Sequence, residues 1–161
     1  MTDGAELLSS TSQDFWIRIG ISLLCGGAIG LERQLRGKVC GVRTSILICL
    51  GTAIFVELGA TAGPDRVDPT RVLGQVVTGV GFLGAGVILS RDGRILGVTT
   101  AAVIWLLAAI GSLVGMGHLG SAVIITLVAL VVLLGVEGVE TAWEKRRGHR
   151  VSRELEGIEI E

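Results

Sequence analysis

Two prolines, two histidines and three cysteines are spread over 161 residues, and charged side chains make up only 18% of the chain. Each shortage narrows the field. With so little proline, the 25 glycines do not read as a disordered linker. Cys25, Cys40 and Cys49 have no metal-ligand spacing, and an odd, unpaired set makes no disulfide framework. Cys25 and Cys49 fall inside apolar runs, where a thiol behaves as a small hydrophobe. His118 and His149 stand alone, with no nucleophile–base pair or metal triad, so no enzyme and no cofactor are expected. A net charge of −1 offers no field for nucleic acid. The first 14 residues hold Asp3, Glu6 and Asp14 but no Lys or Arg, unlike a secretory signal, so the N-terminus is expected to be retained.

What the chain has is apolar length. Half its residues are hydrophobic and its mean hydropathy is +0.70. Five apolar segments run from Phe15 to Leu31, Thr44 to Gly63, Val72 to Leu89, Ile95 to Gly117 and Leu119 to Val136. Each approaches or exceeds the roughly 17 residues that a spanning helix needs. In hydrocarbon a segment must satisfy its own backbone hydrogen bonds, so these segments are expected to be helices. The predicted fold is an all-α polytopic membrane bundle of about five transmembrane helices.

Basic residues orient it. Arg33, Arg36, Lys38 and Arg43 follow the first segment, Arg91 and Arg94 the third, and Lys145, Arg146, Arg147, Arg150 and Arg153 the last. That puts 11 of the 14 Lys and Arg on one side, against Arg18, Arg66 and Arg71 on the other. The positive-inside rule then predicts an N-out, C-in chain. Residues 1–14 form an extracytoplasmic segment, 15–140 the transmembrane domain and 141–161 a short charged cytoplasmic tail against anionic headgroups. Trp16 and Trp143 suit interfacial anchors. No internal repeat supports an inverted-repeat transporter.

Residues Gly79 to Gly84 read GVGFLG, which matches the dinucleotide-binding pattern G-x-G-x-x-G. That turn needs a preceding strand and an acid about 20 residues on. Here it lies inside an apolar run, and the next acids are Asp92, too near, and Glu137, too far. The glycines serve close helix packing better. Gly26 with Gly30, Gly59 with Gly63, and Gly111 with Gly115 are GxxxG pairs, and Gly81 with Ala85 is a small-xxx-small pair. They suit packing within one chain or a face between two copies. Gly84 and Gly86 join this packing set.

Polar groups near hydrocarbon are costly and tend to be functional. Glu32 and Arg36 are i, i+4 neighbours at the end of the first segment, and Arg33, Arg43 and Thr44 lie close in sequence. They are either a functional cluster or charges that snorkel to the interface. Gln75 and Thr78 share a helix face, and Thr99 and Thr100 open the fourth helix after a turn at Asp92 and Gly93. These groups either bond across helices or line a polar pathway. Glu57 lies toward the external half of the second segment, as a neutral or hydrated carboxyl or as a proton or cation site.

Three blocks, GGAIGLERQLRGKVCGVRTS, DPTRVLGQVVTGVGFLGAGVILSRDG and GVTTAAVIWLLAAIGSLVGMG, together resemble the membrane domain of the MgtC/SapB family of bacterial inner-membrane proteins. The resemblance covers about Ser22 to Val136. It implies a multi-span protein of magnesium homeostasis, tied to growth in low Mg²⁺ and to virulence. It also implies a regulator of other membrane proteins, such as the F-type ATP synthase or a transporter, more than a carrier. Glu32, Arg33, Arg36, Arg43, Thr44, Gln75, Gly81, Phe82, Gly84, Gly86, Thr99 and Thr100 match its pattern, and Glu57 does not. Longer members carry an ACT-like cytoplasmic domain after the last helix, which this chain is expected to lack.

The preferred expectation is a non-enzymatic regulator that works through helix contacts, with lipid, a second copy or another membrane protein as partner. The alternative is a channel or carrier for Mg²⁺ or another cation. Mg²⁺ prefers oxygen ligands and keeps several waters. Only Glu32 and Glu57 are acids within or touching the segments, and basic residues surround Glu32. That favours the regulator.

Overall fold

Both prolines, Pro64 and Pro69, fall between the second and third apolar segments, so long helices can form on either side. A computed structural model describes residues 4–61, 69–91 and 94–135. Helix α1 runs over Gly4–Leu35, α2 over Val42–Thr61, α3 over Pro69–Gly86, α4 over Val98–Gly115 and α5 over Leu119–Gly135. Pro69 is the first residue of α3, where its missing N–H costs nothing. The chain forms two compact units, residues 1–126 and 127–161. Of the second, the described residues are the end of α5. All packing below lies within the first.

Helix α1 stops at Gly37, whose φ of 66° suits a residue without a Cβ. Lys38 N–H donates to the Arg33 carbonyl at 3.0 Å and Gly37 N–H to that of Gln34 at 3.0 Å, closing the helix end. Gln34 Oε1 then accepts the Val42 N–H at 3.3 Å, tying the start of α2 to the end of α1.

Residues 4–14 are helical and run on into the apolar part of α1. One sequence expectation needs correction. The helix of the third apolar segment ends at Gly86, and that of the fourth begins only at Val98. Leu89–Arg91 (β1) and Arg94–Leu96 (β2) form an antiparallel pair in the register Leu89↔Leu96, Ser90↔Ile95 and Arg91↔Arg94. Gly97 makes the hairpin fit. Its φ is 89°, and a Cβ there would run into the Val87 carbonyl oxygen. The GVGFLG run lies wholly inside α3.

The bundle exposes large apolar side chains and buries several polar ones beside an apolar core that includes Ile29, Leu107, Ile110 and Val114. Leu47, Phe55, Phe82 and Trp105 are exposed, while Ser22, Glu32, Arg33, Ser45, Thr52 and Thr100 are buried. A soluble domain sorts these residue types the other way, so this is a membrane protein. Gln13–Leu35, Val42–Ala60 and Val98–Gly115 are long and apolar enough to cross a membrane. Polar hydroxyls in the helices return to their own backbone. Ser112 Oγ donates to the Ala108 carbonyl at 2.9 Å and Thr126 Oγ1 to that of Ala122 at 2.8 Å.

Helix α2 sits between α1 and α4. Two GxxxG pairs explain how both come close. A Cβ at Gly30 would lie 2.6 Å from Val42 Cα, and one at Gly26 would lie 2.9 Å from Ile46 Cα. A Cβ at Gly111 would strike the Cys49 carbonyl oxygen, and one at Gly115 would lie 2.8 Å from Val56 Cβ. At Gly84 a Cβ would make ordinary contact with Ala101, at 3.7 Å. Gly81 and Gly86 have nothing within 4 Å, so among the described residues neither packs against another helix. The sequence pattern marks small residues but not the side on which another helix lies.

Leu at Gly30 or Gly111 is therefore expected to destabilise the protein by about 1–3 kcal/mol or more through overpacking. Leu at Gly81 is expected to stay within about 0.5 kcal/mol of the parent. SDS-induced unfolding in detergent micelles gives the comparison. Equal losses at all three positions would contradict this packing.

Candidate functional site

The end of α1 and the first turn of α4 bring a buried charge cluster together. Glu32 and Arg33 occupy the last turn of α1, and only 7% and 2% of their surfaces are exposed. Cations near a helix C-terminus are favoured by its partial negative charge, which suits Arg33 and Arg36 to this place. Arg36 Nε lies 2.6 Å from Glu32 Oε1, one turn away on the same helix. Arg33 Nη1 lies 4.0 Å from Glu32 Oε2. Arg33 also crosses to α4, where its Nη2 donates to Thr100 Oγ1 at 3.4 Å.

Ion pairing and hydrogen bonding differ at this cluster. The Arg36–Glu32 approach is short, yet its geometry is not that of a hydrogen bond, and both Glu32 carboxylate oxygens remain without one. Arg33 Nε is likewise buried without a hydrogen-bond partner. Polar atoms in this condition are rare in folded proteins and costly. The cluster is a carboxylate held between two guanidinium groups. It can hold fixed charge and lock α1 to α4, but it has little free anionic character to offer a cation.

Other residues singled out in the sequence do not join it. Arg43 and Thr44, in the first turn of α2, are exposed, as are Gln75, Thr78 and Thr99. Thr78 Oγ1 donates to the Gly74 carbonyl at 2.9 Å, within its own helix. Thr44 and Gln75 line a common groove between α2 and α3. Asp92 lies outside the described residues, as do Gly63 and the tail beyond Gly135. Of the polar residues singled out in the sequence, Glu32, Arg33 and Thr100 form the buried centre, with Arg36 at its edge.

A second ionic contact lies toward the other end of the bundle. Glu57 Oε1 is 3.7 Å from Arg18 Nη1. The same nitrogen donates to the Gly115 carbonyl at 2.5 Å, at the end of α4. Arg18 thus joins α1, α2 and α4 and meets the negative end of the α4 dipole. Sequence reasoning treated Glu57 alone and missed this partner. A signal was there. Arg18 lies 17 residues before the end of α1 at Leu35, and Glu57 lies 15 after the start of α2 at Val42. Antiparallel helices joined by a short turn bring such positions to similar heights. Among the described residues, no group of three or more His, Cys, Asp or Glu is placed to hold a metal ion.

Comparison with known proteins places this geometry in context. The MgtC family model matches residues 19–142. YhiD of Escherichia coli (strain K12), whose name marks it as a proposed magnesium transporter, is 48% identical over 111 residues, covering 65% of this chain and 52% of YhiD. Protein MgtC of Salmonella typhimurium (strain LT2) is 41% identical over 109 residues, covering 68% of this chain and 46% of MgtC. The uncharacterized protein slr0014 of Synechocystis is 36% identical over 140 residues, covering 87% and 58%. The chain spans about half the length of the curated relatives it matches. No solved structure matches it.

Replacing Arg33 by Met is expected to cost about 3–5 kcal/mol, because it strips a buried carboxylate of one partner. Arg43→Gln, at an exposed position, is expected to change stability by less than about 0.5 kcal/mol. Unfolding in detergent checks both. A neutral Arg33→Met would mean that the cluster does not hold α1 to α4.

Proposed function

The chain belongs to the MgtC family, and from that premise we propose that it serves magnesium homeostasis as a non-enzymatic regulator in the bacterial inner membrane. It acts through contacts with other membrane proteins, of which the F-type ATP synthase and ion transporters are the candidate classes. The observation that carries this reading is the pairing of Glu32 with Arg36 and Arg33 at the buried end of α1. Glu57 likewise faces Arg18. Mg²⁺ is held by oxygen ligands and keeps much of its water. A carboxylate whose charge already faces guanidinium groups is a poor ligand for it.

The proposal fits the surface as well. Apolar side chains project outward along the helices, and Gly81 and Gly86 leave part of α3 without bulk. Helix association in lipid relies on such close approach. A second copy of the chain is one candidate for that contact. The competing reading, Mg²⁺ transport, is favoured by the name of YhiD.

Sealed liposomes holding the purified chain and a magnesium indicator separate the two. The expected result is no Mg²⁺ entry above protein-free liposomes. Saturable entry that Glu32→Gln abolishes would overturn the regulator and establish a transporter. In cells that depend on the protein for growth in low magnesium, Glu32→Gln is expected to impair growth at normal membrane abundance. Full growth with that variant would remove the buried cluster from the function.

A further inference from the structure

Helices α2 and α3 meet at one end and part toward the other. At Gly59 a Cβ would run into the Val72 side chain, so the helices touch there. Farther along, Gly51 and Gly79 have nothing within 4 Å. The space between is a groove of about 620 Å³, with Thr44, Leu47 and Phe55 on its α2 wall and Val76, Gly79 and Leu83 on its α3 wall. Leu47 and Phe55 are 67% and 66% exposed. Nothing in the buried charge cluster or the Arg18–Glu57 pair accounts for it.

Its lining and length suit one kind of occupant. Apart from Thr44, Thr52 and Gln75 the lining is apolar, and the groove is open along one side, as a trough for a hydrocarbon chain would be. Thr44 and Gly59 are 15 helical steps apart on α2, or about 22 Å at the helical rise. Its length is well within the roughly 30 Å of a bilayer's hydrocarbon.

Charge selects the kind of chain. Arg43 stands beside Thr44 at the wide end of the groove and is exposed. It lies in the first turn of α2, where the helix dipole adds positive potential. In the N-out, C-in orientation this end meets the headgroups of the cytoplasmic leaflet, whose anionic lipids attract such residues. Arg71 stands beside Val72, at the closed end, so it serves as a control for charge that has no open groove beside it.

We propose that the α2–α3 groove binds one acyl chain of an anionic phospholipid, with Arg43 holding its headgroup. The inference does not depend on whether the protein regulates or transports. One basic residue near an anionic surface favours such a lipid by about fivefold.

Tryptophan quenching by brominated lipid tests it. The full chain carrying Phe55→Trp, or Leu47→Trp as a second reporter, is reconstituted with brominated phosphatidylglycerol or brominated phosphatidylcholine. The signal of the parent tryptophans is subtracted. The expected result is an apparent affinity about fivefold higher for phosphatidylglycerol. Arg43→Gln brings the ratio to about one, while Arg43→Lys and Arg71→Gln retain it. A Leu24→Trp reporter, on the outward face of α1, shows no preference. Equal quenching by the two lipids at Phe55→Trp and Leu47→Trp would overturn the proposal. So would a preference that survives Arg43→Gln. Reporters that neither lipid quenches would also overturn it, and would point to a protein surface covering the groove.

Discussion

The close approach of α1 and α4 to α2 is the contact on which the rest of the structure depends. Lipid tails are as apolar as leucine, so burial of leucine gives helices in a membrane little reason to associate. Packing must come from backbones that nearly touch. Gly26 and Gly30 permit this on one side of α2, and Gly111 and Gly115 on the other. The two pairs act on different helices but share one partner. They set α1 and α4 at fixed heights along α2, and every polar contact between these helices follows from those heights.

Two ionic contacts occupy the two ends of this three-helix core. At the end nearer the α1–α2 turn, Arg33 reaches Thr100 only because α4 begins beside the last turn of α1. Toward the far end, Arg18 meets Glu57 and the last carbonyls of α4. Removing charge from water is expensive, and pairing repays it only in part. The Arg18–Glu57 pair keeps some solvent access and suits a clip between helices. The Glu32 cluster is nearly dry and incompletely hydrogen-bonded, which is harder to explain as architecture alone.

Much of the fold was legible in the sequence because the membrane restricts the choices. Apolar runs of sufficient length must be helices, and the positions of Glu32, Arg33 and Arg36 after such a run implied a charged helix end. The GxxxG spacing identified Gly26, Gly30, Gly59, Gly111 and Gly115, at which helices meet. The pattern of small residues did not distinguish Gly111 from Gly81, since that depends on which face has a neighbour. Hydropathy could not separate α3 and α4 from the hairpin between them, because Leu89, Ile95 and Leu96 are as apolar as the helices they flank. Only the place of Gly97 against Val87 makes the turn necessary.

What the sequence determined by itself was the class: a helical membrane chain with small residues at helix spacing and polar residues at the ends of its runs. Those properties depend on composition and on separations of three or four residues, which a linear chain displays directly. Tertiary structure decided the partners. Arg33 with Thr100 and Arg18 with Glu57 are separated by 67 and 39 residues. No local rule connects residues so far apart. They meet because α1, α2 and α4 stand side by side at heights set by four glycines, and that arrangement exists only once the helices have packed.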